Sequence, residues 1–101
     1  MIKVSVMYAN EPGVRFDHDY YCNVHMPLVK ARLGFAYTID RGLSGGVAGS
    51  APIYIGMCHI FSESVADFEQ ALAQHAEELN GDIQNFTAIK PVYQISEVIV
   101  G

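Results

Sequence analysis

Phe16-Asp17-His18-Asp19-Tyr20-Tyr21-Cys22-Asn23-Val24-His25-Met26-Pro27-Leu28 reads as one amphipathic helix set between two alternating stretches, and that placement decides the fold. At roughly 100° of rotation per residue, the polar side gathers at Asp19, Asn23 and Lys30. The apolar arc runs through Tyr20, Tyr21, Cys22, Val24, Leu28 and Val29, with His25 near its middle, one turn after Tyr21. An imidazole on a buried face needs a hydrogen-bond partner, water or a ligand. Pro27 removes a backbone donor, so the helix is expected to kink or restart just after His25, leaving the Asn23 carbonyl without its helical partner.

Working outward, residues 2–8 (Ile-Lys-Val-Ser-Val-Met-Tyr) alternate with period two and predict a strand, followed by a turn at Asn10-Glu11-Pro12-Gly13. Asp17 is the expected N-cap of the first helix, and Gly34 its stop after Leu33. Residues 35–43 alternate again. Residues 44–52 hold three glycines and a proline and predict a flexible loop, a candidate lid. A third strand is expected over 53–61. A second helix follows from Ser64, with Val65, Phe68, Leu72, Ala76 and Leu79 as its apolar stripe and Asn80-Gly81 as its stop. The last strand is placed at about 91–100, where Pro91 is tolerable as first residue. The order βαββαβ is the split, ferredoxin-like arrangement of a four-stranded antiparallel sheet, here as one α+β domain over residues 1–101.

Composition narrows the function. A chain of 101 residues holds a single small domain, and half of its residues are hydrophobic. The net charge is −5, and the six Lys and Arg residues are scattered, which argues against nucleic-acid binding. No apolar run approaches a membrane span, and the N-terminal stretch does not read as a signal peptide. Cys22 and Cys58 make no disulfide framework, so a reducing, cytoplasmic location is expected.

Helices on one face of a sheet should leave the other face polar, yet the strands are apolar on both. Ile53, Ile55, Met57 and Phe61 oppose Tyr54, Cys58 and Ile60 in the third strand, and Tyr93, Ile95 and Ile99 oppose Val92, Val98 and Val100 in the last. Something should cover the open face. A second copy of the chain is the simplest cover; the C-terminal segment folding back is the other.

The segment Phe16-Asp17-x-Asp19-Tyr20-Tyr21-x-x-x-His25-Met26-Pro27-Leu28 resembles the hallmark of the EthD family, named for a protein associated with ethyl tert-butyl ether degradation. The opening Met1-Ile2-Lys3-Val4-Ser5-Val6 and the closing Ile89-Lys90-Pro91-Val92-x-Gln94-Ile95-Ser96-Glu97-Val98 are similar to the family's two ends. The resemblance implies a dimeric α/β barrel, two ferredoxin-like subunits with their sheets packed together. Relatives include muconolactone-type isomerases, aromatic polyketide cyclases, cofactor-free monooxygenases and many proteins without an assigned reaction. In several, a histidine carries acid–base chemistry in a pocket between helices and sheet, and His25 stands at the hallmark histidine here.

The expectation is therefore a small cofactor-independent enzyme acting on a small hydrophobic carbonyl or phenolic compound. Its catalytic candidates are His25, Tyr21 and His59, and its candidate substrate contacts are Tyr20, Tyr37, Tyr54 and Asp17. The alternative is a non-catalytic ligand binder or accessory to an oxygenase system. Histidine has a pKa near working pH without tuning; Tyr21 could orient it, and Asp17, on the same i, i+4 ladder, could raise its pKa. Each residue also has a plainer role: His25 tying helix to sheet, Asp17 spent on capping, the strand tyrosines Tyr37, Tyr54 and Tyr93 as packing. His59 faces either the helices or the open face, opposite to Cys58, and sequence alone leaves this open. Cys22, His25, Cys58 and His59 fall short of the convergent ligands a zinc site needs, and residues 45–49 lack the Lys-Ser/Thr pair of a phosphate loop.

Overall fold

The computed structural model describes residues 1–101. Strands β1 (Ile2–Ala9), β2 (Ala36–Arg41), β3 (Tyr54–Ser62) and β4 (Val92–Glu97) form one antiparallel sheet in the order β2-β3-β1-β4. This is the ferredoxin-like order. The sheet is open and does not close on itself as a barrel within one chain. Alternation places Val4, Val6 and Tyr8 of β1 with Cys58 and Ile60 of β3 on the face that carries the helices. Lys3, Ser5 and Met7, with Met57, His59 and Phe61 beside them, point to the other face. β4 ends at Glu97, three residues before the expected 100. One further bond, Val98 N–H to Met1 O at 3.1 Å, closes the ladder, and Ile99 and Val100 lie exposed beyond it.

The first helical segment is built in three parts: α1 (His18–Tyr20), a π-helical turn (Tyr21–His25) and α2 (Met26–Leu33). Asp17 caps it as expected, its carboxylate accepting from the Tyr20 N–H at 3.0 Å. Pro27 does break the pattern, though not as a simple kink. The Met26 N–H bonds to the Tyr21 carbonyl, five residues back. The wider turn admits one extra residue just before the proline. It also resets which residues face inward: Tyr21, His25, Met26 and Val29 are buried, while Cys22 and Val24, expected on the apolar arc, face solvent. Gly34 ends α2 with φ +80°, the left-handed conformation that glycine adopts without penalty.

α3 (Val65–Asp82) starts at Ser64, whose Oγ accepts from the Asp67 N–H at 3.1 Å. It buries Phe68 and Leu79. The expected stop at Asn80-Gly81 does not occur. Gly81 keeps a right-handed φ, and the helix continues to Asp82 and a 3₁₀ turn (Ile83–Asn85). Side-chain bonds from Tyr20, His25 and Asn85 to Asp82 hold this last turn in place. Arg32 of α2 grips Glu78 of α3 in a two-pronged pair at 2.7 and 3.1 Å, fixing the helices side by side on the sheet. At Gly56 a Cβ would come within 2.8 Å of the Phe16 ring, so glycine there lets the segment before α1 lie flat on β3.

Candidate active site

Between α2, α3 and the helix-bearing face of the sheet lies a cavity of about 390 Å³, with 15 of its 18 lining residues hydrophobic. That volume falls in the lower part of the roughly 300–1,000 Å³ usual for small-molecule sites. β1 and β3 supply its floor, with Tyr8 and Cys58. Tyr21, His25 and Met26 of the π turn form one wall, Phe68, Leu72 and Leu79 of α3 the other. It opens over the edge strand β4, where Tyr93 is 58% exposed and Ile95 45%. None of residues 44–52 lines it, so the glycine loop is not its lid.

His25 is the basic side chain in the cavity wall. Its Nδ1 lies 2.9 Å from Asp82 Oδ2, the two side chains being 7% and 14% exposed. An ionised carboxylate only accepts, so Nδ1–H donates and Nε2 is left as the free acceptor nitrogen. No hydrogen bond within the chain occupies Nε2. Burial pulls the His25 pKa below the ordinary 6.5, against the opposing pull of Asp82, so the imidazole is neutral at neutral pH. Partial burial pushes the Asp82 carboxyl up, but hydrogen bonds from Tyr20, Asn85 and His25 together hold it below the usual carboxylate range. The dyad is thus a neutral imidazole backed by a carboxylate that fixes its tautomer, able to accept a proton at Nε2.

Aromatic rings fix the imidazole further. Tyr21 stacks on it at 5.8 Å between centroids with 14° between planes, and the fully buried Phe86 tilts against it at 4.7 Å. Tyr21 carries the one buried side-chain oxygen or nitrogen without a hydrogen-bond partner, its phenol oxygen Oη. Burial pushes its pKa far above the ordinary value, with the neighbouring Cys58 thiol adding to the effect.

Of the residues singled out in the sequence, His25 and Tyr21 meet in the cavity. Tyr20 does not line it; its hydroxyl donates to Asp82 Oδ1 at 2.7 Å and so acts on His25 from behind. Asp17 is spent on capping and on a 3.5 Å pair with Arg15, and the carboxylate against the imidazole is Asp82 instead. Tyr37 packs against the core outside the cavity, and Tyr54 is likewise outside it. His59 lies on the opposite face of the sheet and cannot pair with His25. There its Nε2–H donates to Asp40 Oδ2 at 3.0 Å, and Nδ1 accepts from Ser5 Oγ at 2.7 Å. Tyr93, the remaining strand tyrosine, lines the mouth. Sequence reasoning missed Asp82, Asn85, Tyr8 and Phe86. No group of three or more His, Cys, Asp and Glu side chains gathers as a metal site would require, and no helix is long and apolar enough to cross a membrane.

Comparison with known proteins places this architecture. The EthD domain profile matches residues 14–90. The chain is similar to an EthD-like protein from Ralstonia eutropha whose crystal structure is solved: 51% identity, TM-score 0.95, with 98% of this chain and 92% of that one covered. It is also similar in fold to an EthD-family protein from Bacillus halodurans, at 19% identity and TM-score 0.73, covering 96% and 97% of the two chains. No curated protein matches. The domain match takes in well over half of the sequence and the Ralstonia relative shares the fold end to end, so this chain belongs to the EthD family.

Proposed function

We propose that this EthD-family protein is a small cofactor-independent enzyme of isomerase, cyclase or oxygenase type, in which His25 removes a proton from a hydrophobic carbonyl or phenolic compound. One observation carries the proposal: a neutral imidazole, oriented through Nδ1 by the Asp82 carboxylate at 2.9 Å, forms part of the wall of an apolar cavity. Nε2 takes the proton from a carbon next to the carbonyl. The C–H bond breaks, its electron pair passes to the carbonyl oxygen as an enolate, and Asp82 stabilises the imidazolium until the proton is returned. Tyr20 and Asn85 are positioning residues, acting through Asp82.

The test is hydrogen–deuterium exchange of α-protons, followed by NMR, across a panel of aryl ketones and 1,3-dicarbonyls. The wild type is expected to exchange at least one of them, and His25→Ala to lose about 10²–10⁴-fold in rate with its circular dichroism spectrum unchanged. Exchange undiminished in His25→Ala refutes the proposal. Binding without exchange by any compound favours the alternative, a ligand-binding accessory of an oxygenase system such as the family's ether-degrading namesake.

We infer further that the open sheet face packs on a second copy, giving a dimeric barrel. Met7, Met57, Phe61 and Val92 make this face apolar, and it carries one charge of each sign, Lys3 and Asp40, so the net charge of −5 does not set two copies against each other there. Sedimentation is expected to give a dimer that Phe61→Glu dissociates; a monomeric wild type removes the inference. Two free cysteines fit a reducing cytoplasm.

A further inference from the structure

The cavity has a charge pattern that proton abstraction alone does not require. None of the six Lys and Arg residues lines it. Arg32 is engaged with Glu78 and Arg15 with Asp17, while Lys90 lies outside the cavity, in an adjoining depression that shares Asn80, Ile83 and Tyr93 with it. The carboxylate in the lining is Glu69, exposed on α3. The one basic group in the lining is His25, whose pKa burial lowers so that it is neutral at neutral pH, and the other titratable groups, Tyr8, Tyr21, Tyr93 and Cys58, are weak acids. Burial pushes the Cys58 thiol up to about 11 and Tyr8 and Tyr21 well above the ordinary phenol value, so at neutral pH they are uncharged. An anion entering such a space gives up its hydration without meeting a cation, and passes a carboxylate on the way in. A neutral oxygen meets no such penalty.

We propose that the cavity selects uncharged compounds of one or two rings bearing a carbonyl or phenol oxygen, and rejects carboxylates of the same shape, with Glu69 as the specificity-determining residue at its rim. This rests on the reading of the cavity as the reaction site. The ring count follows from the 390 Å³ available.

The experiment is a fluorescence titration with 2-naphthol and 2-naphthoate at neutral pH, one pair of probes with one ring system and two charges. The wild type is expected to bind 2-naphthol at least about tenfold more tightly, a difference of about 1.4 kcal/mol. Leu72→Trp, which fills the cavity, abolishes that binding. Glu69→Lys, reversing a rim charge, is expected to tighten 2-naphthoate about tenfold and leave 2-naphthol within about twofold. Lys90→Ala leaves the ratio unchanged. Equal or tighter binding of 2-naphthoate by the wild type, a ratio indifferent to Glu69→Lys, or no binding of either probe overturns the proposal. The same ratio is read in His25→Ala, separating the two claims. A reversed ratio with exchange lost in that variant removes the charge selection and leaves proton transfer standing. A preserved ratio with no exchange in any protein removes proton transfer and leaves the selection.

Discussion

Removing one oxygen from Tyr21 is expected to make the ligand-free protein more stable. The residue is 1% exposed, and its Oη has no hydrogen-bond partner. A buried donor left unsatisfied costs about 1–3 kcal/mol. The Cys58 thiol beside it, a weak donor and acceptor, offsets part of that cost and places the gain from Tyr21→Phe at the lower end, about 1 kcal/mol. Little is lost in exchange, because the ring keeps its packing against Tyr8 at 5.7 Å, Phe16 at 5.2 Å and Phe86 at 5.0 Å. On a chain of this length, 1 kcal/mol raises Tm by about 4–8 °C. Calorimetric melting of the two proteins without ligand reads this directly. A Tm lowered by that amount refutes the reasoning, because it means the hydroxyl has a partner whose bond outweighs its burial. Raised stability together with lost proton exchange marks the hydroxyl as a group kept for activity at the expense of stability.

The pH dependence follows from the His25 dyad. The proposed proton transfer uses the base form of His25, and burial sets its pKa below 6.5, so on that proposal kcat/KM is expected to rise with pH to a midpoint below 6.5 and then level off. Asp82→Asn removes the group that pulls the pKa up, moving the midpoint lower still; a midpoint above 6.5 in the wild type contradicts the assignment. Stability follows the same direction. The depressed His25 pKa means the unfolded chain binds the proton more readily, so stability is full above the unfolded value near 6.5 and declines as pH falls below it. Asp82, also depressed, adds a further loss below its unfolded value of 3.8. Urea titrations at a series of pH values check both. Two glycines are expected to differ in sign. Gly56→Ala drives a Cβ to 2.8 Å from the Phe16 ring and is expected to cost about 1–3 kcal/mol. Gly81→Ala, in an exposed right-handed helical turn with nothing within 4 Å, is expected to gain about 0.5–1 kcal/mol in urea unfolding, and a loss there contradicts a helix running through to Asp82.

The strands were legible because alternation is a local signal, and both caps, Asp17 and Ser64, because a cap is set by residues within one turn. The π turn was half legible. Pro27 announces a break, but nothing local says that the chain absorbs it by widening the preceding turn, and that choice moves Cys22 and Val24 to solvent. Asp82 was hidden for two reasons. It stands 57 residues from His25, and it follows an Asn-Gly pair that signals a helix end. Only contacts made across the fold keep the helix going to it. The orientation of His59 depended on which neighbour entered the core. Alternation puts Cys58 and His59 on opposite faces, and burial of Cys58 under the helices sends His59 to the other side.

Three departures from the most stable arrangement converge on one place. The helix carries a π turn where an unbroken α-helix would bond better; that turn brings Tyr21 and His25 to the cavity wall, and Tyr21 brings an unpaired hydroxyl with it. The cavity itself leaves apolar side chains without partners in a chain of only 101 residues, where burial is scarce. Any one of these is tolerable as an accident of packing. Their coincidence around a histidine whose tautomer is fixed by a bonded carboxylate supports the proposed reaction site, because local rules tend to be broken where function requires it and satisfied elsewhere. The histidine of the sheet makes the contrast. His59 has both ring nitrogens bonded, to Ser5 and Asp40, and no free acceptor to offer. His25 has one nitrogen bonded and one free, and that asymmetry is why the proposed proton transfer is placed on it.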